Sequence, residues 1–213
     1  MARRSKTRSE KPRADFLATV GDLLNALAPL GCEATLVGGM ALVTLGSARV
    51  TKDFDFLVVE EAREQKALVQ VFYRHGFQLA SRTDDRGAIT RTIDNPHVAA
   101  ARLRIDRPKS AYFYNEKLGL RVDLLFDFPI EARGVRLRST RKKIQSYSFH
   151  IASRPDLIRM KEIAASDRHA STDAQDLEFL KTSVDGSKPA NCGHFKTGHS
   201  AWRPRPNEFY FKP

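Results

Sequence analysis

The chain has few cysteines and no long apolar run. Cys32 and Cys192 are its two cysteines among 213 residues, and they lie in unrelated contexts, which argues against a disulfide framework. No apolar stretch approaches the roughly 18 residues of a membrane-spanning helix, so we expect no membrane association. The basic residues near the N-terminus are not followed by the apolar segment of a signal peptide. A cytoplasmic protein is therefore the expectation.

Several common catalytic signatures are also missing. The sequence contains no Gly-x-Ser-x-Gly nucleophile turn, no His-Glu-x-x-His zinc motif and no Walker-type phosphate loop. These absences argue against an α/β-hydrolase, a zinc peptidase and a P-loop NTPase. Hydrophobic residues nevertheless make up 41% of the chain, which is enough for a buried core.

Positive charge is concentrated at the two ends of the chain, whose formal net charge is +11. Residues 1–13 contain six Lys or Arg against one Glu, and residues 181–213 contain six against two acids. We expect 1–13 to be a disordered basic arm, because it lacks apolar side chains, and 183–213, rich in Gly, Ser, Pro and Lys, to be a mostly disordered basic tail. A domain remains over residues 14–182, with a helical cap over 153–182.

The apolar periodicity within this domain predicts alternating helices and strands, which is typical of an α/β or α+β domain. Apolar residues at three- and four-residue spacing, or helix start and stop signals, predict helices over 15–30, 40–45, 61–75, 153–165 and 171–182. Strands are predicted over 33–38, 53–59, 77–80, 99–105, 118–126 and 146–151. Residues 82–96 are ambiguous. Residues 108–117 are expected to form a loop, and 129–143 a solvated basic loop with a short strand at 135–137.

Two glycines and two aspartates form the pattern that points to function. Gly38 and Gly39 end an apolar run, and thirteen residues later a second run contains Asp53 and Asp55. Residues i and i+2 of a strand share a face, so the two carboxylates point the same way, about 7 Å apart at Cα. Glycines let the backbone approach a ligand closely. Carboxylates together with substrate phosphates are the ligands that Mg²⁺ prefers, so the pattern suggests a metal and phosphate site.

A two-metal phosphoryl-transfer site needs about three carboxylates. Asp123 is the preferred third one, because it lies in the middle of a predicted strand, where an unpaired carboxylate is costly. Asp127 is the alternative, since it lies four residues further on, but it is close to the end of the strand.

The wider string resembles the signature of the DNA polymerase β nucleotidyltransferase superfamily. That signature is a hydrophobic residue and two small residues, a spacer of this length, and Asp-hydrophobic-Asp-hydrophobic. Residues 37–41 and 49–55, with later strings at 156–161 and 173–177, resemble the small prokaryotic members, including AbiEii-like toxins. The resemblance implies a nucleotidyltransferase-like mixed β-sheet flanked by helices, with a short C-terminal helical pair.

The resemblance also implies roles for individual residues. Asp53, Asp55 and Asp123 would be catalytic and hold Mg²⁺ or Mn²⁺. The residues expected to bind the NTP substrate, ATP or another, are Gly38, Gly39, Arg49, Lys52, Lys161 and Asp176. Alternative readings are a solvated loop charge for Arg49 or Lys52, an exposed helix lysine for Lys161, and an ion pair or helix-dipole partner for Asp176.

The expected reaction is transfer of a nucleoside monophosphate from an NTP to an acceptor hydroxyl, with release of pyrophosphate. The acceptor could be RNA, a protein side chain or a small molecule, and a toxin-like activity on tRNA is one possibility. A second hypothesis is a non-catalytic nucleotide- or RNA-binding module on the same scaffold. A third is a component of a toxin–antitoxin pair that acts with a cognate antitoxin protein.

Overall fold

The structure is a computed structural model that describes residues 15–59, 64–84, 87–167 and 171–182. The predicted basic arm and basic tail therefore lie outside the described residues. The helices are α1 (Phe16–Leu27), α2 (Gly38–Thr44), α3 (Gln65–Arg74), α4 (Pro96–Asp106), α5 (Ala132–Arg138), α6 (Arg154–Asp167) and α7 (Ser171–Thr182), with a 3₁₀ turn at Ala28–Leu30. The strands are β1 (Ala34–Val37), β2 (Asp53–Val58), β3 (Gln78–Thr83), β4 (Ile89–Ile93), β5 (Ser110–Asn115), β6 (Leu120–Phe126), β7 (Thr140–Ile144) and β8 (Tyr147–Ile151).

The eight strands form one mixed sheet in the order β4-β3-β5-β6-β2-β1-β8-β7. β2 pairs with β6 and β1 with β8 in parallel, whereas the other neighbours are antiparallel. Parallel neighbours require long crossover connections. The two central strands β2 and β6 are therefore brought together from distant parts of the chain, and the predicted mixed sheet flanked by helices is confirmed.

Helices α3 and α4 cover one face of the sheet half formed by β4, β3, β5 and β6. Phe72 of α3 stacks on Phe113 of β5 with ring centroids 3.8 Å apart, and both rings are fully buried. Phe54 and Phe56 of β2 are likewise buried, which agrees with strand alternation, since they face away from Asp53 and Asp55. Cys32 lies in the core just before β1. In the described part of the chain, no helix is long and apolar enough to cross a membrane.

The predicted strand over residues 99–105 is wrong, because this segment is helix α4. Asn95 caps the helix by accepting hydrogen bonds from the backbone N–H groups of His97 (2.8 Å) and Val98 (3.3 Å), and Pro96 occupies the first turn. Asparagine at the N-cap and proline in the first turn are strong start signals. The three consecutive alanines that follow favour a helix, because alanine has the highest helix propensity. Alanine is also apolar, so the same segment resembles an apolar strand in the sequence.

The predicted loop over residues 108–117 is also wrong, because residues 110–115 form strand β5. This strand lies between β3 and β6, and Phe113 is completely buried. The basic segment 129–143 was expected to be a loop with a short strand at 135–137. It instead contains helix α5, capped by the Glu131 carboxylate on the Gly134 N–H (2.7 Å), followed by edge strand β7. Val135 is buried in the core and stabilises α5. The basic residues around Val135 gave no sign of this burial in the sequence.

Candidate active site

The pairing of β2 with β6 brings the three predicted carboxylates together. Their parallel register sets Asp55 opposite Asp123 and Asp53 opposite Arg121. Because side chains alternate along each strand, Asp53, Asp55 and Asp123 lie on the same face of the sheet. Asp123 is buried, with 7% of its surface exposed, whereas Asp53 and Asp55 are half-buried. The site therefore opens towards solvent at β2.

Asp127, the alternative third carboxylate, has a local structural partner. It follows β6 with a positive φ of 47°, and its carboxylate accepts a hydrogen bond from the Ala132 N–H (2.8 Å) at the start of α5. Its register position lies beyond the last pair of β2 and β6. Asp123 is thus the carboxylate that the sheet sets beside Asp55.

Gly38 lies directly against one of the carboxylates. Its φ is +63°, a conformation that L side chains rarely adopt, and it is the first residue of α2. A Cβ at Gly38 would lie 2.0 Å from Asp55 Oδ2. A Cβ at Gly39 would lie 3.0 Å from Arg49 Nε. Because the two glycines have no Cβ, the side chains of Asp55 and Arg49 can lie close to the backbone at this turn.

Arg121 was not singled out by the sequence, and it binds the third carboxylate. Its guanidinium donates to both oxygens of Asp123, with distances of 2.6 and 2.7 Å. The same guanidinium lies 4.3 Å from the centroid of the Tyr112 ring and donates to the Gly87 carbonyl (3.3 Å). The spacing of two residues between Arg121 and Asp123 was the signal available in the sequence, since it places both side chains on one face.

Burial raises the pKa values of two of the carboxyl groups. The pKa of Asp123 rises to about 7, because burial and the nearby Asp55 outweigh the opposing effect of Arg121. The pKa of Asp55 is also raised, first by burial and then by Asp53, while Arg121, Lys161 and Arg49 oppose the rise. Closely spaced carboxylates repel one another when they are ionised, so binding of a cation between them is favoured.

A second charged cluster joins α6 and α7 to the loop after α2. The Lys161 ammonium lies 2.9 Å from Asp173 Oδ1 and 2.6 Å from Asp176 Oδ2, and Arg49 also forms an ion pair with Asp176. Lys161, Asp173 and Asp176 are all buried. Lys161 is therefore not an exposed helix lysine, and Asp176 is in an ion pair. Asp173 is a residue that the sequence did not predict for the site, although its three-residue spacing from Asp176 places both on one helix face.

Lys52, one of the residues predicted to bind the NTP, contacts helix α1 in the structure. Its side chain is exposed, and the ammonium lies over the ring of Phe16 in α1, 5.8 Å from the centroid. A contact between Lys52 and a bound triphosphate stays a prediction.

The carboxylates fit a divalent cation by chemical type. All three are hard oxygen donors, the class that Mg²⁺ prefers, and Gly38 leaves room beside Asp55 that a Cβ would fill. Among the described residues, no three His, Cys, Asp or Glu side chains already enclose a metal position, and Asp123 is held by Arg121. Each oxygen of Asp123 has a second lone pair beyond its bond to Arg121, so Asp123 could join Asp53 and Asp55 around a metal with or without that pair.

Two surface pockets lie near the β3–β4 edge. One of about 500 Å³ lies between β4 and α4 and contains none of the predicted site residues. The other, of about 290 Å³, includes Gln78, Arg91 and Tyr114.

Comparison with known proteins identifies the family. Residues 22–203 match the family described as "Nucleotidyl transferase AbiEii toxin, Type IV TA system". No curated protein matches the chain by sequence.

Solved structures share the fold at low sequence identity. The antibiotic-resistance factor ANT(2″)-Ia, solved in solution, has a TM-score of 0.52 at 13% identity, over 79% of this chain and 84% of that chain. Its crystal structure with adenylyl-2″-tobramycin has a TM-score of 0.51 at 14% identity, over 79% and 89%. An antigenic nucleotidyltransferase-like protein from Paracoccidioides brasiliensis has a TM-score of 0.51 at 16% identity, over 78% and 74%. The family match covers most of the chain, so the chain belongs to the AbiEii family and is a nucleotidyltransferase.

Proposed function

We propose that the chain transfers a nucleoside monophosphate from an NTP to an acceptor hydroxyl and releases pyrophosphate, with Mg²⁺ or Mn²⁺ held by Asp53, Asp55 and Asp123. The observation that carries this proposal is the register of β2 and β6, which lines up the three carboxylates beside Gly38. A bound metal would neutralise phosphate charge and orient the reacting oxygens.

Other residues of the site would bind the triphosphate and accept the proton. The backbone at Gly38 and Gly39 would approach the triphosphate, since no Cβ intervenes there. Arg49 lies beside the backbone of Gly39, and Lys161 shares the Asp176 carboxylate with it, so both cations are placed to attract phosphates at the glycine turn. Asp176 pairs with both and would fix their positions. Asp123 would accept the proton of the attacking hydroxyl, because its pKa of about 7 suits a general base near neutral pH.

The acceptor and the biological partner belong to the same proposal. We infer that tRNA is a candidate acceptor, which the basic residues of 1–13 and 181–213 support by their attraction to polyanions. The family description names a toxin–antitoxin system, so a cognate antitoxin is the expected biological partner.

The test is label transfer by the purified chain with Mg²⁺, α-labelled NTPs and fractions of total RNA, protein and small molecules. Asp53→Ala should abolish transfer, because one carboxylate of the cluster is lost. Glu162→Ala is the matched control, since Glu162 pairs with Lys181 at an exposed position. Mg²⁺ should also raise the Tm of the wild-type chain more than that of Asp53→Ala, because a ligand stabilises the state that binds it. Equal labelling by wild type and Asp53→Ala would refute the proposal.

A further inference from the structure

One row of side chains runs from the carboxylates to the pocket near β4. The strand registers pair Asp53 with Arg121, Arg121 with Tyr114, and Tyr114 with Gln78. These pairs cross β2, β6, β5 and β3 in order. Since directly paired residues point to the same side of a sheet, all four side chains lie on the face that bears the carboxylates.

Among the described residues, the face that bears this row is opposite to the one that α3 covers in the β4-β3-β5-β6 half of the sheet. Phe113, the neighbour of Tyr114 in β5, points the other way and stacks on Phe72 of α3. Tyr114 and Gln78 are half-buried, in contrast to the fully buried Phe113. The row therefore leads from the candidate active site to partly exposed side chains on β3, next to the edge strand β4.

The pocket of about 290 Å³ at the end of this row has a mixed lining. Tyr114 contributes an aromatic ring, and Gln78 and Thr92 contribute polar groups that are joined by a 2.7 Å hydrogen bond from the threonine hydroxyl to the amide oxygen. Among the described residues that line the pocket, Arg91 and Lys117 are exposed cations and Glu116 is the one acid. An aromatic ring beside two cations suits a ligand that has both a planar base and a phosphate.

The position of the pocket restricts what it can hold. Neighbouring strands are about 4.8 Å apart, so Tyr114 is roughly 10 Å from Asp53, and Gln78 roughly 14 Å. A group in this pocket is too far away to react at the carboxylates. A pocket that serves the transfer from this distance suits a part of the acceptor remote from the reacting hydroxyl, and an acceptor that reaches both points is extended.

We propose that this pocket, formed by Gln78, Arg91, Thr92, Tyr114 and Lys117, binds a nucleotide unit of a single-stranded polynucleotide acceptor. A base stacks on Tyr114, and the flanking phosphates contact Arg91 and Lys117. The Gln78–Thr92 pair offers hydrogen bonds to the base edge or the sugar. The inference rests on the proposed nucleotidyl transfer, because the pocket is assigned to the acceptor of that reaction.

Fluorescence polarisation with a fluorescein-labelled single-stranded RNA oligonucleotide tests the pocket. Tyr114→Ala should raise the Kd about 5- to 150-fold, because stacking on an aromatic side chain contributes roughly 1–3 kcal/mol per base. Tyr114→Phe keeps the ring and should bind nearly as wild type. Lys117→Gln, at an exposed position that does not threaten folding, should weaken binding and reduce its dependence on salt.

The matched control is Lys143→Gln, because Lys143 is an exposed cation on β7, at the opposite edge of the sheet. A fully duplexed RNA should compete poorly, since its bases are not free to stack. Unchanged Kd values in both Tyr114→Ala and Lys117→Gln, no binding of the oligonucleotide at all, or equal competition by the duplex would each overturn the inference. Failure of the proposed function has a separate signature, which is label transfer that survives in Asp53→Ala.

Discussion

Replacing Gly38 by alanine should damage the site more than the backbone cost alone predicts. At φ +63° an alanine must adopt a left-handed conformation, which costs about 1–2 kcal/mol. Its Cβ would also lie 2.0 Å from Asp55 Oδ2 and 2.9 Å from Asp55 Cβ, so the Asp55 side chain must move away from its place beside Asp123 and the backbone must shift slightly. A forced side-chain shift adds about 0.5–1.5 kcal/mol. We therefore expect Gly38→Ala to lower the free energy of unfolding by about 1.5–3.5 kcal/mol.

Gly31 provides the matched control for this experiment. Its φ is +70°, close to that of Gly38, but a Cβ there would meet nothing within 4 Å. Gly31→Ala should therefore show the backbone cost of about 1–2 kcal/mol and keep label transfer. Urea unfolding of both variants separates the backbone cost from the contact with Asp55, and label transfer reports the position of the carboxylate. Equal destabilisation by the two variants, with transfer retained in Gly38→Ala, would refute the reasoning.

Two further predictions concern buried charges. Lys161→Met should lower the free energy of unfolding by about 3–5 kcal/mol, because it leaves the buried carboxylates of Asp173 and Asp176 without their ammonium partner. Lys181→Met breaks the exposed pair with Glu162 and should cost at most about 1 kcal/mol. Denaturant titrations measure both effects, and equal destabilisation by Lys161→Met and Lys181→Met would contradict the argument from burial. The folded carboxyl of Asp123 binds its proton more tightly than the unfolded one, so stability should fall as pH rises from about 4 to about 7. Asp123→Asn should flatten that dependence in unfolding experiments at pH 5 and pH 8, and an unchanged slope would show that Asp123 is not its source.

Local signals predicted much of the fold. Helices α1, α6 and α7 followed from apolar spacing and capping residues, and β2 and β6 from short apolar runs. The errors fell on α4, β5 and α5, where tertiary burial decided between similar local patterns. Residues 110–115 have the composition of an aromatic loop, and they form a strand because β3 and β6 pair with them. Val135 lies in a strongly basic segment, and its burial in the core stabilises the helix there.

The sequence by itself determined the family resemblance and the shared orientation of Asp53 and Asp55, because both follow from local spacing. Asp123 was preferred as the third carboxylate, but its pairing with Asp55 depends on the parallel register of two strands more than sixty residues apart in the chain. The two-residue spacing of Arg121 and Asp123 already places both on one face of a strand, although their ion pair is seen only in the structure. The tertiary structure alone decided that Gly38 lies against Asp55 and that Lys161 is enclosed by Asp173 and Asp176. These contacts join distant segments or depend on backbone conformation and side-chain direction, and no local periodicity in the sequence specifies them.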